Sequence, residues 1–92
     1  MEYDPKNVFA RDQLIQYYID VENDLQKAKT LAQDSRILIS TEPKFSLHLA
    51  TIYARENNCQ QAISFKNEIL TKSYKHPIYS NLADFATKKC TN

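Results

Sequence analysis

The chain has 92 residues, three prolines, two cysteines and no glycine, with a formal net charge of +1. That length supports one small domain with a thin core. The lack of glycine argues against tight hairpins and for an all-helical chain, and the near-zero charge excludes a global pull toward nucleic acid or anionic membrane.

Along the chain, Asp4-Pro5 suits a helix start, because Asp accepts free amides and Pro fits the first turn. Helix 1 is expected over about 5–22, with Leu14, Ile15, Tyr18, Val21 and the following Leu25 at three- and four-residue steps. Asn23-Asp24 breaks it, since both tolerate left-handed or capping backbone. Helix 2 is expected over about 25–39 with Ala28, Leu31, Ala32, Ser35 and Leu38 on one stripe. Ser40-Thr41-Glu42-Pro43 ends it and caps helix 3, over about 44–56, with Leu49, Ala50, Ile52 and Tyr53 inward. Asn57-Asn58 is the next turn. Helix 4 is expected over about 59–73 with Ala62, Ile63, Phe65, Ile69 and Leu70. His76-Pro77 breaks it, and helix 5, over about 77–89, carries Tyr79, Leu82, Ala83 and Phe85. Two helical hairpins and a final helix result, in a single domain spanning residues 1–92.

The two hairpins echo each other. Glu22-Asn23-Asp24-Leu25-Gln26-Lys27-Ala28 returns 34 residues later as Glu56-Asn57-Asn58-Cys59-Gln60-Gln61-Ala62, with four of seven positions identical. Pro43 and Pro77 are also 34 apart, and Leu82-Ala83 begins a third copy one residue early against Leu49-Ala50. Two positions depart from the pattern. Gln16 stands where Ala50 predicts a small residue, and Lys66 stands where the consensus of tetratricopeptide repeats, which the chain resembles, has an aromatic, with Phe65 one position off.

With Leu49-Ala50, Tyr53 and Ala62 at their spacing, the chain resembles the tetratricopeptide family, whose 34-residue helix–turn–helix units stack into a concave, polypeptide-binding surface. The stretch 49–63 and the Lys66-Asn67-Glu68-Ile69-Leu70 that follows resemble, more narrowly, the small tetratricopeptide chaperones of type III secretion needle subunits. That resemblance implies a bacterial cytoplasmic protein that clasps the amphipathic helix of a small export substrate, with a second small helical co-chaperone docked on it. No cofactor is implied. The same resemblance places Tyr17, Val21, Leu47, Thr51, Ala54, Ile78 and Phe85 on the partner-binding wall, together with Gln13, Asp20, Arg55 and Asn81. Adjacent Tyr17 and Tyr18 point about 100° apart, so one packs inward and the other faces the partner. An apolar wall left open promotes aggregation.

Other functions find less support. The clamp that tetratricopeptide co-chaperones use for a terminal carboxylate needs Lys, Arg and Asn, where this chain has Gln13, Tyr17, His48, Ile78 and Leu82. His48, Cys59, His76 and Cys90 lack the close spacing of a zinc site. Cys59 is expected to be buried and inert, which leaves no Cys–His nucleophile. Lys66, Lys72, Lys75, Lys88 and Lys89 form no clear basic line for nucleic acid, and lysines near helix C-termini also answer the helix dipole. Residues 1–24 hold six acids against Lys6 and Arg11, a bias expected to be a solvated face or a distinct partner surface. Two cysteines are too few for a disulfide framework, and no apolar run nears the roughly 20 residues that span a bilayer. The short apolar Val8-Phe9 cluster is unlike a secretory leader, so a reduced, cytoplasmic protein that is not an enzyme is expected.

Overall fold

Side chains that take up free amides set the helix boundaries. In the computed structural model, which describes residues 7–72 and 77–90, Asn7 Oδ1 accepts from Ala10 N at 3.0 Å and starts α1 (Val8–Asp20). Asp4 and Pro5 lie outside the described residues, but Asn7 is extended (φ −77°, ψ 101°) and caps α1, so the helix begins at Val8 and not at about residue 5. Asp24 accepts from Lys27 N at 3.1 Å and opens α2 (Leu25–Leu38), and Glu42 accepts from Lys44 N at 3.3 Å and opens α3 (Pro43–Arg55). Asn58 accepts from Gln61 N at 3.3 Å ahead of α4 (Cys59–Lys72), and Pro77 begins α5 (Pro77–Ala86). The hairpin turns are alike: Asn23 and Asn57 take positive φ, 52° and 62°, in the left-handed region that asparagine tolerates best after glycine.

Two C-terminal ends differ from expectation as well. Helix α1 stops at Asp20 because the Val21 and Glu22 amides both turn onto the Tyr17 carbonyl. Helix α5 stops at Ala86. Buried Thr87 donates its hydroxyl to the Ala83 carbonyl at 2.8 Å, and Lys88–Cys90 tightens into a 3-10 turn. The expected end of α4 at Ser73 lies outside the described residues.

All described elements are helical. Helix α1 packs on α2, α2 on α3, α3 on α4 and α4 on α5, while α3 also touches α1 and α5. One core gathers Ile15 and Ile19 of α1, Ala28 and Ala32 of α2, and Phe45, Leu49 and Ile52 of α3. The 34-residue period sets the depth of side chains as well as the turns. Ile15, Leu49 and Ala83 are one period apart and fully buried, as are Ala28 and Ala62. The third copy is therefore in full register at Ala83, not one residue early at Leu82, which is 42% exposed. Leu14, Leu38 and Leu70, whose spacing puts them on the apolar stripes, are also exposed. The buried stripe of α1 is only Arg11, Ile15 and Ile19, since a helix with neighbours on one side needs no wider one.

Arg11 and Ser35 occupy the positions that Phe45 and Ile69 hold one period later, and all four are buried. The first repeat thus fills with a polar pair the site that the second fills with hydrocarbon. Arg11 Nη1 donates to Ser35 Oγ at 2.8 Å and to Asp34 Oδ2 at 2.9 Å, which provides the hydrogen bonds a buried guanidinium requires. On the opposite side, Tyr53 and Phe65 stack with centroids 5.7 Å apart. Lys29 lies over the Tyr53 ring and Arg36 over that of Phe65. Arg36 also forks onto the Glu68 carboxylate, which accepts from Ser46 as well.

Cys59 and Cys90 are bonded to each other, their Cα atoms 5.3 Å apart. This corrects the expectation of reduced thiols and of a buried, inert Cys59. The 3-10 turn after α5 brings Cys90 back to the first residue of α4, and both residues are half-buried. Nothing in the sequence distance between them announces that return.

Two stability outcomes follow. Leu49→Ala is expected to cost about 2–5 kcal/mol, and Leu82→Ala under about 1.5 kcal/mol, as read by urea denaturation. The opposite order would contradict the register. Cross-linking across a separation of 31 residues restricts the unfolded chain by roughly 3–4 kcal/mol. A Cys59→Ser, Cys90→Ser double variant should therefore melt well below the oxidised protein, and equal melting temperatures would show that the bond contributes nothing.

Candidate functional site: a groove across α1, α3 and α5

Because α3 lies against both α1 and α5, the three helices share one side of the molecule, and an open groove of about 700 Å³ runs between them. Leu47, His48, Thr51, Ala54 and Arg55 of α3 line it. Gln16 and Ile19 flank it from α1, and Leu82, Phe85 and Ala86 from α5, with Lys88 and Lys89 at the 3-10 turn. Leu47 and Arg55 are eight residues apart, so the groove follows α3 for about 12 Å, or two turns.

Polar groups within the groove are tied to the scaffold. The Nε2–H of His48 donates to Asp12 Oδ1 at 2.6 Å and pins α1 to α3. This hydrogen bond holds the Asp12 carboxyl below its ordinary value, outweighing the opposing effect of burial, and Lys44 adds to the lowering. Thr51 donates its hydroxyl to the Leu47 carbonyl at 3.0 Å. Both arrangements leave the groove floor mainly hydrocarbon, from Ile19, Leu47, Ala54, Leu82 and Phe85. Arg55 sits 3.9 Å from Asp20, with both side chains about half exposed.

Of the residues expected on the binding wall, Leu47, Thr51, Ala54, Arg55 and Phe85 line this groove. Phe85 is 79% exposed, an unusual placement for a phenylalanine inside a small domain. Tyr17, Val21 and Ile78 are exposed but do not line it. On α1 the side turned toward the groove is that of Gln16 and Ile19, and Tyr17 and Val21 lie further round the helix. Ile78 belongs to the first turn of α5, ahead of the groove's first α5 residue, Leu82. Gln13, Asp20 and Asn81 do not line it either. Tyr18 packs on the core, as expected of one of the two adjacent tyrosines, while Tyr17 is half exposed and does not face the groove.

Lys88 and Lys89 were not anticipated, yet the signal was present. They stand one period after Ala54 and Arg55, and full register at Ala83 would have placed them on the wall. Of the other lysines grouped with them in sequence, Lys66 pairs with Asp84 at 3.0 Å, while Lys75 and the Lys72 side chain lie outside the described residues. His76 of the notional zinc set also lies outside them. Among the described residues no group of three or more His, Cys, Asp or Glu side chains could hold a metal ion, and no helix is long and apolar enough to cross a membrane.

A smaller hollow of about 480 Å³ lies between α1 and α2, lined by Leu14, Tyr18, Leu31 and the polar Gln26, Lys27, Thr30 and Asp34. It is wider and shallower than the groove, and smaller.

Compared with known proteins, the chain matches no family model, no curated protein and no solved structure. Its functional reading therefore stands on its own residues.

The Asp12–His48 contact has a defined pH signature. A carboxyl lowered on folding favours the fold above its unfolded value of 3.8, and that contribution disappears as pH falls through the lower folded value. Asp12→Asn should flatten the acid limb of the stability curve below about pH 4, with a smaller loss on acidification than in the parent protein. Identical acid limbs would mean that the contact does not couple α1 to α3.

Proposed function

We propose that this chain is a tetratricopeptide-type binding module that shields the apolar face of an amphipathic helix. The observation that carries the reading is the open, hydrocarbon-floored groove across α1, α3 and α5, in which Phe85 and Leu47 stand ready for a guest. The 34-residue register supports it, because it runs through the turns, the helix-starting prolines and the buried positions alike. Helix-in-groove recognition uses apolar anchors spaced three and four residues apart, and two turns of α3 match such a stripe.

The mechanism is an exchange of water for hydrocarbon. Each Å² of apolar area removed from water contributes about 25 cal/mol before the ordering of the guest is subtracted. Ordering a flexible guest takes back a few kcal/mol, so the complex is firm and still releasable. No proton transfer or covalent step is involved.

In its narrower form the module is a chaperone for a type III secretion needle subunit, kept with a second small helical chaperone in the bacterial cytoplasm until export. That form is supported by the resemblance of residues 49–63 and 66–70. The Cys59–Cys90 bond favours a second reading, an adaptor for another polypeptide, because disulfides persist in oxidising compartments.

Fluorescence anisotropy with a labelled peptide from the C-terminal helix of a needle subunit tests both. Binding that is lost in Leu47→Asp and Phe85→Asp variants of unchanged helicity supports the narrower form. If an unrelated amphipathic helix binds and the needle peptide does not, the adaptor stands alone. If both substitutions leave binding intact, the groove is not the site.

A further inference from the structure

The walls of the groove are not equally held. Helices α1 and α3 are each backed by the second helix of a hairpin, α2 and α4, whereas among the described residues no α-helix follows α5. Between Pro77 and Cys90 the buried residues are Ala83 and Thr87, against seven on α3 alone. The Lys66–Asp84 pair that joins α4 to α5 leaves Asp84 largely exposed. By packing, α5 is the weakest wall.

The Cys59–Cys90 bond supplies what a backing helix would. Cys90 stands one period after Glu56, the residue through which Lys29 holds the end of α3 to α2 at 2.7 Å. In the third copy a covalent bond to the first residue of α4 takes the place of that ion pair. Leu82, Phe85 and Ala86, which line the groove, lie on the segment so fastened.

Such a fastening can be undone. Both cysteines are half-buried, so a small thiol can reach them. Cys59 begins α4, where the amide ends favour negative charge, so its sulfur is the better leaving group. One thiolate of a thiol reductant attacks the Cys90 sulfur, forming a mixed disulfide and releasing the Cys59 thiolate. A second thiolate attacks the reductant's sulfur in that mixed disulfide and displaces the Cys90 thiolate. Two electrons pass to the cysteines, the two protons of the reductant's thiols follow, and the reductant leaves as its own disulfide.

From this placement we infer that the Cys59–Cys90 bond is a redox latch on the groove. Closed, it holds the α5 wall ready for a guest; open, it lets that wall move relative to α3 and weakens binding. The inference deepens the helix-binding reading and rests on it.

The experiment equilibrates the full chain in glutathione buffers that span reducing and oxidising compartments, and reads the closed fraction by alkylation and mass spectrometry. The bond should open within that range while the circular dichroism of the helices is kept. A bond still closed in the most reducing buffer, or a reduced chain that unfolds throughout, would make it a structural staple and overturn the latch. Amide exchange in α5 should rise on reduction by about tenfold relative to α3. A synthetic amphipathic helix with a leucine stripe should bind the reduced chain about tenfold more weakly, with affinity regained on reoxidation. A Cys59→Ser, Cys90→Ser variant should match the reduced chain in both readouts. Equal α5 exchange in the two states, or equal peptide affinity despite a loosened α5, would overturn the latch and leave the groove reading intact. If α5 loosens on reduction but the peptide binds neither state, the helix-binding reading falls and the latch on binding falls with it.

Discussion

Every other helix leans on α3. Phe45, Leu49 and Ile52 supply the bulk that fills its neighbours' gaps, and Ser46, Ala50 and Ala54, spaced four apart, supply a stripe of small side chains. Small residues at that spacing allow a neighbouring helix to approach closely, while the large ones fix its position. A helix so fully used has no solvent-facing stripe of the ordinary kind. Its remaining polar residues have assigned tasks: His48 holds α1, Ser46 meets the Glu68 carboxylate of α4, and Thr51 turns its hydroxyl onto its own helix. The groove is the part of α3 that α1 and α5 flank without closing.

The contacts opposite the groove define how the hairpins sit on each other more than how stable they are. Lys29 bonds Glu56 at 2.7 Å while lying over the Tyr53 ring, and Arg36 joins Glu68 while lying over Phe65. Partly exposed ion pairs of this kind contribute little individually. Two cations on α2, each meeting an aromatic ring and a carboxylate of the second hairpin, nevertheless tie α2 to that hairpin at two points. Arg11 plays the same part inside the first hairpin, where removing one partner would cost more than a well-packed hydrocarbon replacement of the whole arrangement.

The helices and turns were legible because they depend on local chemistry. Asn23-Asp24 and Asn57-Asn58 announce left-handed turns and caps, and the helices follow within a few residues of where periodicity puts them. The inward faces were less legible. Leu14, Leu38 and Leu70 fit an apolar period yet stay exposed, since hydrophobic spacing alone does not say how many neighbours a helix has. Arg11 was invisible as a core residue, because its burial depends on Ser35 and Asp34, which lie on another helix. In the groove, the α3 residues and Phe85 could be placed by register. Tyr17, Val21 and Ile78 could not, because the rotation of the outer helices about α3 is a tertiary property. The Cys59–Cys90 bond escaped for the same reason, whereas Lys88 and Lys89 were legible through the register and were missed when the third copy was placed one residue early.

Whether the wall is open is a question for solution NMR of the free chain with a soluble paramagnetic agent. Open-groove geometry predicts strong broadening of the Phe85 ring and measurable broadening of the Leu47 methyls, while Leu49, Ile52 and Ala83 stay protected. If Phe85 and Leu47 were as protected as Leu49, the helices would have closed on one another, and no surface would remain for a guest.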